Sequence, residues 1–76
     1  MEQLLKLLKS VRPDVDFENE TELIDDGILD SFDVVSIISE IDDQFGVQIR
    51  ITELDPENFN SAEAIWNLIQ ELKRKL

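Results

Sequence analysis

The apolar residues fall into blocks whose spacing changes along the chain. Leu4, Leu7, Leu8 and Val11 recur at i, i+3, i+4 and i+7 with Lys6 and Lys9 on the other side, the pattern of a short amphipathic helix, and Pro13 stops it. From Asp14 to Leu29 the residues Val15, Phe17, Leu23, Ile24, Ile28 and Leu29 keep neither a helical nor an alternating period. This segment reads as a long loop pinned to the core by those side chains, and loops above about 12 residues in compact domains are usually functional. A second helix is expected to open at Ser31. Asp30 is its N-cap, Asp33 at the third helical position is a shorter stand-in for the Glu of a capping box, and Leu29 with Val34 forms a hydrophobic staple. Val34, Ile38, Ile41 and Phe45 make the expected buried stripe, widened by Val35 and Ile37, and Gly46 supplies a left-handed C-terminal cap. The expected outward stripe is Asp33, Ser36, Glu40 and Asp43 along a helix of roughly 22 Å.

After Gly46, Val47, Ile49 and Ile51 alternate with Gln48 and Arg50, which predicts a short extended segment with one face on the core. Thr52 with Asp55 suggests a brief helical turn that Pro56 limits. Asn60 with Glu63 reads as the capping pair of a last helix in which Ala62, Ile65, Ile69, Leu72 and Leu76 keep helical spacing, with Trp66 and Leu68 beside them. Lys73, Arg74 and Lys75 complement its negative end. Trp66 at this spacing reads as core. The expected fold is all-α, a four-helix bundle of three main helices and one short one, with the long loop between helices 1 and 2 and a single domain spanning residues 1–76.

Charge narrows the function. Seven basic against 18 acidic residues give −11. Such a surface repels phosphate backbones, so nucleic acid is excluded as a partner. No apolar run approaches the roughly 20 residues that span a bilayer, and the first residues lack the pattern of a signal peptide, so a cytoplasmic protein without stable membrane insertion is expected. There is no Cys and no His, which removes thiol nucleophiles, imidazole bases and the usual zinc sites. The charge is also concentrated: no cation occurs from Pro13 to Ile49, where 12 of the acids lie. An acidic face can serve solubility alone, or it can dock basic partners. Crowded carboxylates without partners predict folded-state pKa values above the unfolded ones, and stability that rises as pH falls.

Ser31 is the one candidate for chemistry. At the first position of a helix its hydroxyl is expected to be exposed, and the unpaired N–H groups beside it favour an anion such as a phosphate ester. A serine there also simply helps a helix begin. Activation of Ser31 as a nucleophile within the chain has no support, for want of a His or a nearby Lys. Asp25-Asp26-Gly27 invites a calcium-loop reading, but counting back from Gly27 puts Ile24 where a ligand is required, so no metal site is assigned. Phe32 is open to two readings, core or exposed contact.

The run Gly27-Ile28-Leu29-Asp30-Ser31-Phe32-Asp33-Val34, with the acidic helix after it, the length and the long loop before it, resembles the phosphopantetheine-attachment region of the acyl and peptidyl carrier protein family. The resemblance covers nearly the whole chain. Within the family it is similar to D-alanyl carrier proteins and their free-standing relatives, on Phe32 directly after Ser31 and the run Ile51-Thr52-Glu53-Leu54-Asp55 leading to Phe59-Asn60-Ser61. Phe32 in place of the usual Leu, and Ser36 in place of a docking Glu, depart from the fatty-acid carriers. The resemblance implies a non-catalytic, monomeric phosphoprotein. A phosphopantetheinyl transferase, using coenzyme A and a divalent metal, would attach 4'-phosphopantetheine to Ser31, and the arm would hold an acyl or aminoacyl thioester. An adenylating ligase would load it and an acyltransferase or synthase unload it. Asp30 belongs to the attachment motif, and Phe32, Asp33, Ser36, Glu40, Asp42 and Asp43 would form the docking surface. A fatty-acid, polyketide or nonribosomal-peptide carrier is the alternative within the family. An acidic protein-binding module that needs no modification is the alternative outside it.

Overall fold

The computed structural model describes residues 1–50 and 54–75, and among them the regular structure is entirely helical. Helix α1 spans Glu2–Val11, α2 Ser31–Phe45, α3 Pro56–Phe59 and α4 Ala62–Arg74. Helix α1 packs against α2 and α4, and α3 against α4. The all-α expectation therefore holds, with the long loop between α1 and α2.

The core is one cluster fed by every segment. Leu4, Leu7 and Leu8 come from α1, Ile37 and Ile41 from α2, Phe59 from α3, and Ala62, Ile65, Leu68 and Ile69 from α4. The loop adds Val15, Phe17, Leu23 and Leu29, all buried, with Ile24 and Ile28 packed partly against the cluster. Val47 is buried, Gln48 exposed, Ile49 half-buried and Arg50 exposed, so the alternation after Gly46 is real without any strand pairing among the described residues. Ile51, Thr52 and Leu76, read as part of that segment, of a helical turn and of the last helix, lie outside the described residues. Gly46 has φ +67° and its N–H donates to the Asp42 carbonyl at 3.0 Å, the left-handed cap expected there. At the same end Phe45 meets Trp66 edge-on at 6.3 Å, and the Lys73 ammonium lies 5.4 Å from the Phe45 ring centre. Trp66 thus packs against the core rather than within it.

Two expectations are corrected. Pro56 opens a helix instead of limiting one, because at the first helical position its missing N–H has no carbonyl to lose and its fixed φ suits the turn. Asn60 does not cap α4. Ser61 does, its Oγ accepting from the Ala64 N–H at 3.0 Å. Asn60 instead holds the loop: its Oδ1 accepts from the N–H groups of Ile24 (3.0 Å) and Asp25 (3.1 Å), and its Nδ2 donates to Asp25 Oδ2 at 3.0 Å. Its carbonyl accepts from the Leu23 N–H at 2.8 Å. A loop without a ladder still has to satisfy its backbone groups, and one asparagine between α3 and α4 meets three of them.

Replacing Asn60 strands the Ile24 N–H in a partly buried position. Asn60→Ala should lower the free energy of unfolding by about 1–3 kcal/mol, measured by urea denaturation, with helix content retained below the transition.

Candidate functional site

The site forms where the loop ends and α2 begins. Gly27, at φ +70°, turns the chain, and Leu29 then returns to the core with its N–H donating to the Leu23 carbonyl at 2.9 Å. Asp30 is the N-cap of α2 in extended conformation. Its Oδ1 accepts from the Asp33 N–H at 2.8 Å, and its own N–H donates to Asp33 Oδ2 at 3.3 Å. Asp in place of Glu therefore completes the capping box, as the spacing predicts. Ser31 is the first helical residue and is exposed, at the positive end of a 15-residue helix. Its surroundings suit a covalently attached phosphate ester: the residue is exposed, and the helix end favours an anion.

Beside Ser31 lies a cleft of ≈ 310 Å³. Ile24, Leu29, Val34, Val35, Leu54, Pro56 and Phe59 make most of its lining, with Asp30, Ser31 and Asp55 among its walls. The staple pair Leu29 and Val34 line it together. The space next to the candidate serine is therefore apolar.

The phase of α2 differs from the expected one. Asp33, Ile37 and Ile41, four residues apart, form the buried stripe, while Val34, Ile38 and Phe45 pack against the core only in part. At about 100° per residue this turns the helix by roughly 70° from the expected orientation. Asp33 consequently leaves the outward stripe, and its side chain is only 12% exposed. It does so because a cation meets it: Arg12 Nη1 donates to Asp33 Oδ2 at 2.5 Å and to the Ile28 carbonyl at 3.2 Å. Asp33 is thus withdrawn from the docking surface to which it was assigned. The same rotation carries Val35 outward to 63% exposure, although it was expected to widen the core face, and leaves Phe32 78% exposed. Phe32, Val35, Ser39, Asp42 and Asp43 now line the outer face, with Ser36 and Glu40 half-buried along its edge.

Arg12 was absent from the sequence-derived site. The signal for it was there: it is the last cation before a stretch without any. It also holds Asp14, with Nε donating to Oδ1 at 3.1 Å and Nη2 to Oδ2 at 3.0 Å. These bonds hold the Asp14 carboxyl below the usual carboxylate range, and donating to the Asp14 and Asp33 carboxylates pushes the Arg12 guanidinium up. For Asp14 this reverses the expected direction, since the acid is paired after all. Among the described residues no group of three or more acidic side chains has metal-binding geometry. No described helix is long and apolar enough to cross a membrane.

Residues 2–69 match the family described as "Phosphopantetheine attachment site". Among characterised proteins, the chain is 34% identical over 74 residues to the D-alanyl carrier protein of Bacillus subtilis (strain 168), covering 95% of each. It is 37% identical over 54 residues to the D-alanyl carrier protein of Bacillus velezensis, covering 71% of this chain and 69% of the relative. The D-alanyl carrier protein of Bacillus cereus (strain B4264) is 30% identical over 74 residues, 95% of this chain and 94% of that one.

Two outcomes follow from the geometry. Asp30→Ala removes the cap acceptor and should lower the free energy of unfolding by about 1 kcal/mol in urea denaturation. Asp14, whose folded pKa lies below its unfolded value of 3.8, stabilises the fold fully above that value, and the contribution is lost as pH falls through the folded pKa. The stability difference between wild type and Asp14→Asn, measured by urea denaturation, should therefore shrink between about pH 7 and about pH 3.

Proposed function

Because the chain belongs to the phosphopantetheine attachment-site family, we propose that Ser31 is its attachment residue and that D-alanine is the group it carries. The protein is a carrier with 4'-phosphopantetheine as its covalent cofactor. The observation behind the choice of residue is one exposed serine at the first position of a helix, held by the Asp30 and Asp33 capping box. When attached, the arm supplies the thiol that this Cys-free chain lacks, and the cargo is held there as a thioester.

The chain's own residues present and orient. Ser31 offers its oxygen in the positive field of the α2 N-terminus, which offsets repulsion between the phosphodiester and the neighbouring carboxylates. With no His or Cys in the sequence, and no Lys or Arg from Pro13 to Ile49, the base that takes the Ser31 proton belongs to the modifying enzyme. The chain itself is then not a catalyst. Asp30 both caps the helix and contacts the transferase. Phe32 and Val35 give that enzyme, an adenylating ligase and an acyltransferase a common apolar contact, flanked by Ser36, Glu40, Asp42 and Asp43. This reading locates the carrier in the cytoplasm, with coenzyme A and ATP.

The names of the relatives support D-alanine as cargo. The apolar cleft beside Ser31 favours a second reading, in which the cargo is an apolar acyl chain as in fatty-acid or polyketide carriers.

Intact mass separates these readings. Incubation with coenzyme A, magnesium and a permissive phosphopantetheinyl transferase should add one arm to the wild type and nothing to Ser31→Ala. An unmodified wild type would overturn the attachment reading. The loaded carrier, offered ATP and a D-alanine-adenylating ligase, should gain one alanyl group that hydroxylamine releases. Charging with a fatty acid instead of D-alanine would favour the second reading.

A further inference from the structure

We infer that Arg12 is a positioning residue for the loading of Ser31, acting through Asp33 and the Ile28 carbonyl. The inference rests on the reading of Ser31 as the attachment residue. Arg12 is the residue that ends α1, remote in sequence from the attachment motif. Its guanidinium nevertheless donates to both flanks of that motif, to the carbonyl of Ile28 three residues before Ser31 and to the carboxylate of Asp33 two residues after it. The remaining nitrogens grip both oxygens of Asp14. A planar fork with fixed donor directions is required for this arrangement, which the compact ammonium of lysine reproduces only in part.

Asp33 couples Arg12 to the cap. The oxygen that Arg12 holds, Oδ2, is the same one that accepts from the Asp30 N–H, so the guanidinium fixes the carboxylate that fixes the first turn. Without Arg12 the Asp33 charge, on a side chain only 12% exposed, would face Asp30 across the same turn with no cation supplied anywhere from Pro13 to Ile49. Repulsion then loosens the capping box, and the helix start that carries Ser31 samples positions away from the productive one. In loading, Ser31 Oγ bonds to the pantetheine-side phosphorus of coenzyme A as the bond to the departing adenosine 3',5'-bisphosphate breaks, and the hydroxyl proton passes to a base of the transferase. A reacting oxygen displaced by about 1 Å can cost up to about a hundredfold in rate.

The test compares Arg12→Met, Arg12→Lys and the double variant Arg12→Met/Asp33→Asn with the wild type. Loading kcat and KM are read by intact mass with coenzyme A and the transferase, at a temperature where circular dichroism shows every variant folded. Amide hydrogen exchange at Asp33 is measured on the same samples. Arg12→Met should lower kcat by about tenfold or more with KM changed less than about twofold, and should speed exchange of the Asp33 N–H, which donates to Asp30. Arg12→Lys should fall between. Adding Asp33→Asn should restore most of kcat, because the amide oxygen still accepts from the Asp30 N–H and carries no charge. Wild-type kcat in folded Arg12→Met would overturn the inference. So would a loss confined to KM that Asp33→Asn leaves unrepaired, since Arg12 would then be a contact of the transferase. A wild type that is not loaded fails the attachment reading, and with it the role of Arg12. Normal loading of the variant fails the Arg12 inference alone.

Discussion

The charge on Asp33 has to be met inside the protein, and the geometry of the helix start that carries Ser31 follows from how that is done. A carboxylate on the core side of a helix is costly unless hydrogen-bonded and paired. Here the Asp30 N–H and the Arg12 guanidinium meet it. Satisfying Asp33 fixes the rotation of α2, and the rotation decides everything on its outer side. Asp33 goes in with Ile37 and Ile41, and Phe32 and Val35 are turned to solvent. Because Arg12 reaches from the end of α1, the start of α2 is also tied to its neighbour through more than apolar packing.

The long loop is held in a comparable way. Phe17 and Leu23 bury almost completely and supply the apolar attachment, while Asn60 takes the backbone N–H groups that such a loop leaves unpaired. Gly27 then reverses the chain so that Leu29 returns inward and Asp30 meets the helix it caps. The exposed serine is therefore mounted on a connection anchored at several points. That construction suits a small domain whose core is modest.

Much of this was legible in the residues. The start of α2 at Ser31, the Asp30 cap and the Gly46 stop were readable because capping chemistry is local, set by residues within one turn of each other. The helical spacing in α1 and α4 was readable for the same reason. The rotation of α2 was not, because two stripes on the same helix fitted the apolar pattern. The choice between them depended on a partner across a long loop. Asn60 misled in a similar way: a residue type that favours N-caps spends its hydrogen bonds on a distant loop, and its neighbour Ser61 takes the capping role. Local chemistry could be read from sequence, and long-range polar pairing could not.

Phe32 and Val35 protrude from a face whose surroundings are acidic, and the two kinds of surface govern different parts of an encounter. Attraction by carboxylates acts at a distance and sets how often a basic partner arrives, and salt weakens it. Apolar contact acts only after arrival and governs how long the partner stays, with little response to salt. A surface built this way divides the kinetics of exchange between two controls. On the proposed reading of this face as a docking surface, ionic strength tunes the frequency of visits and the area of two side chains limits their duration, so that a carrier passed among several enzymes is found quickly by each and retained by none.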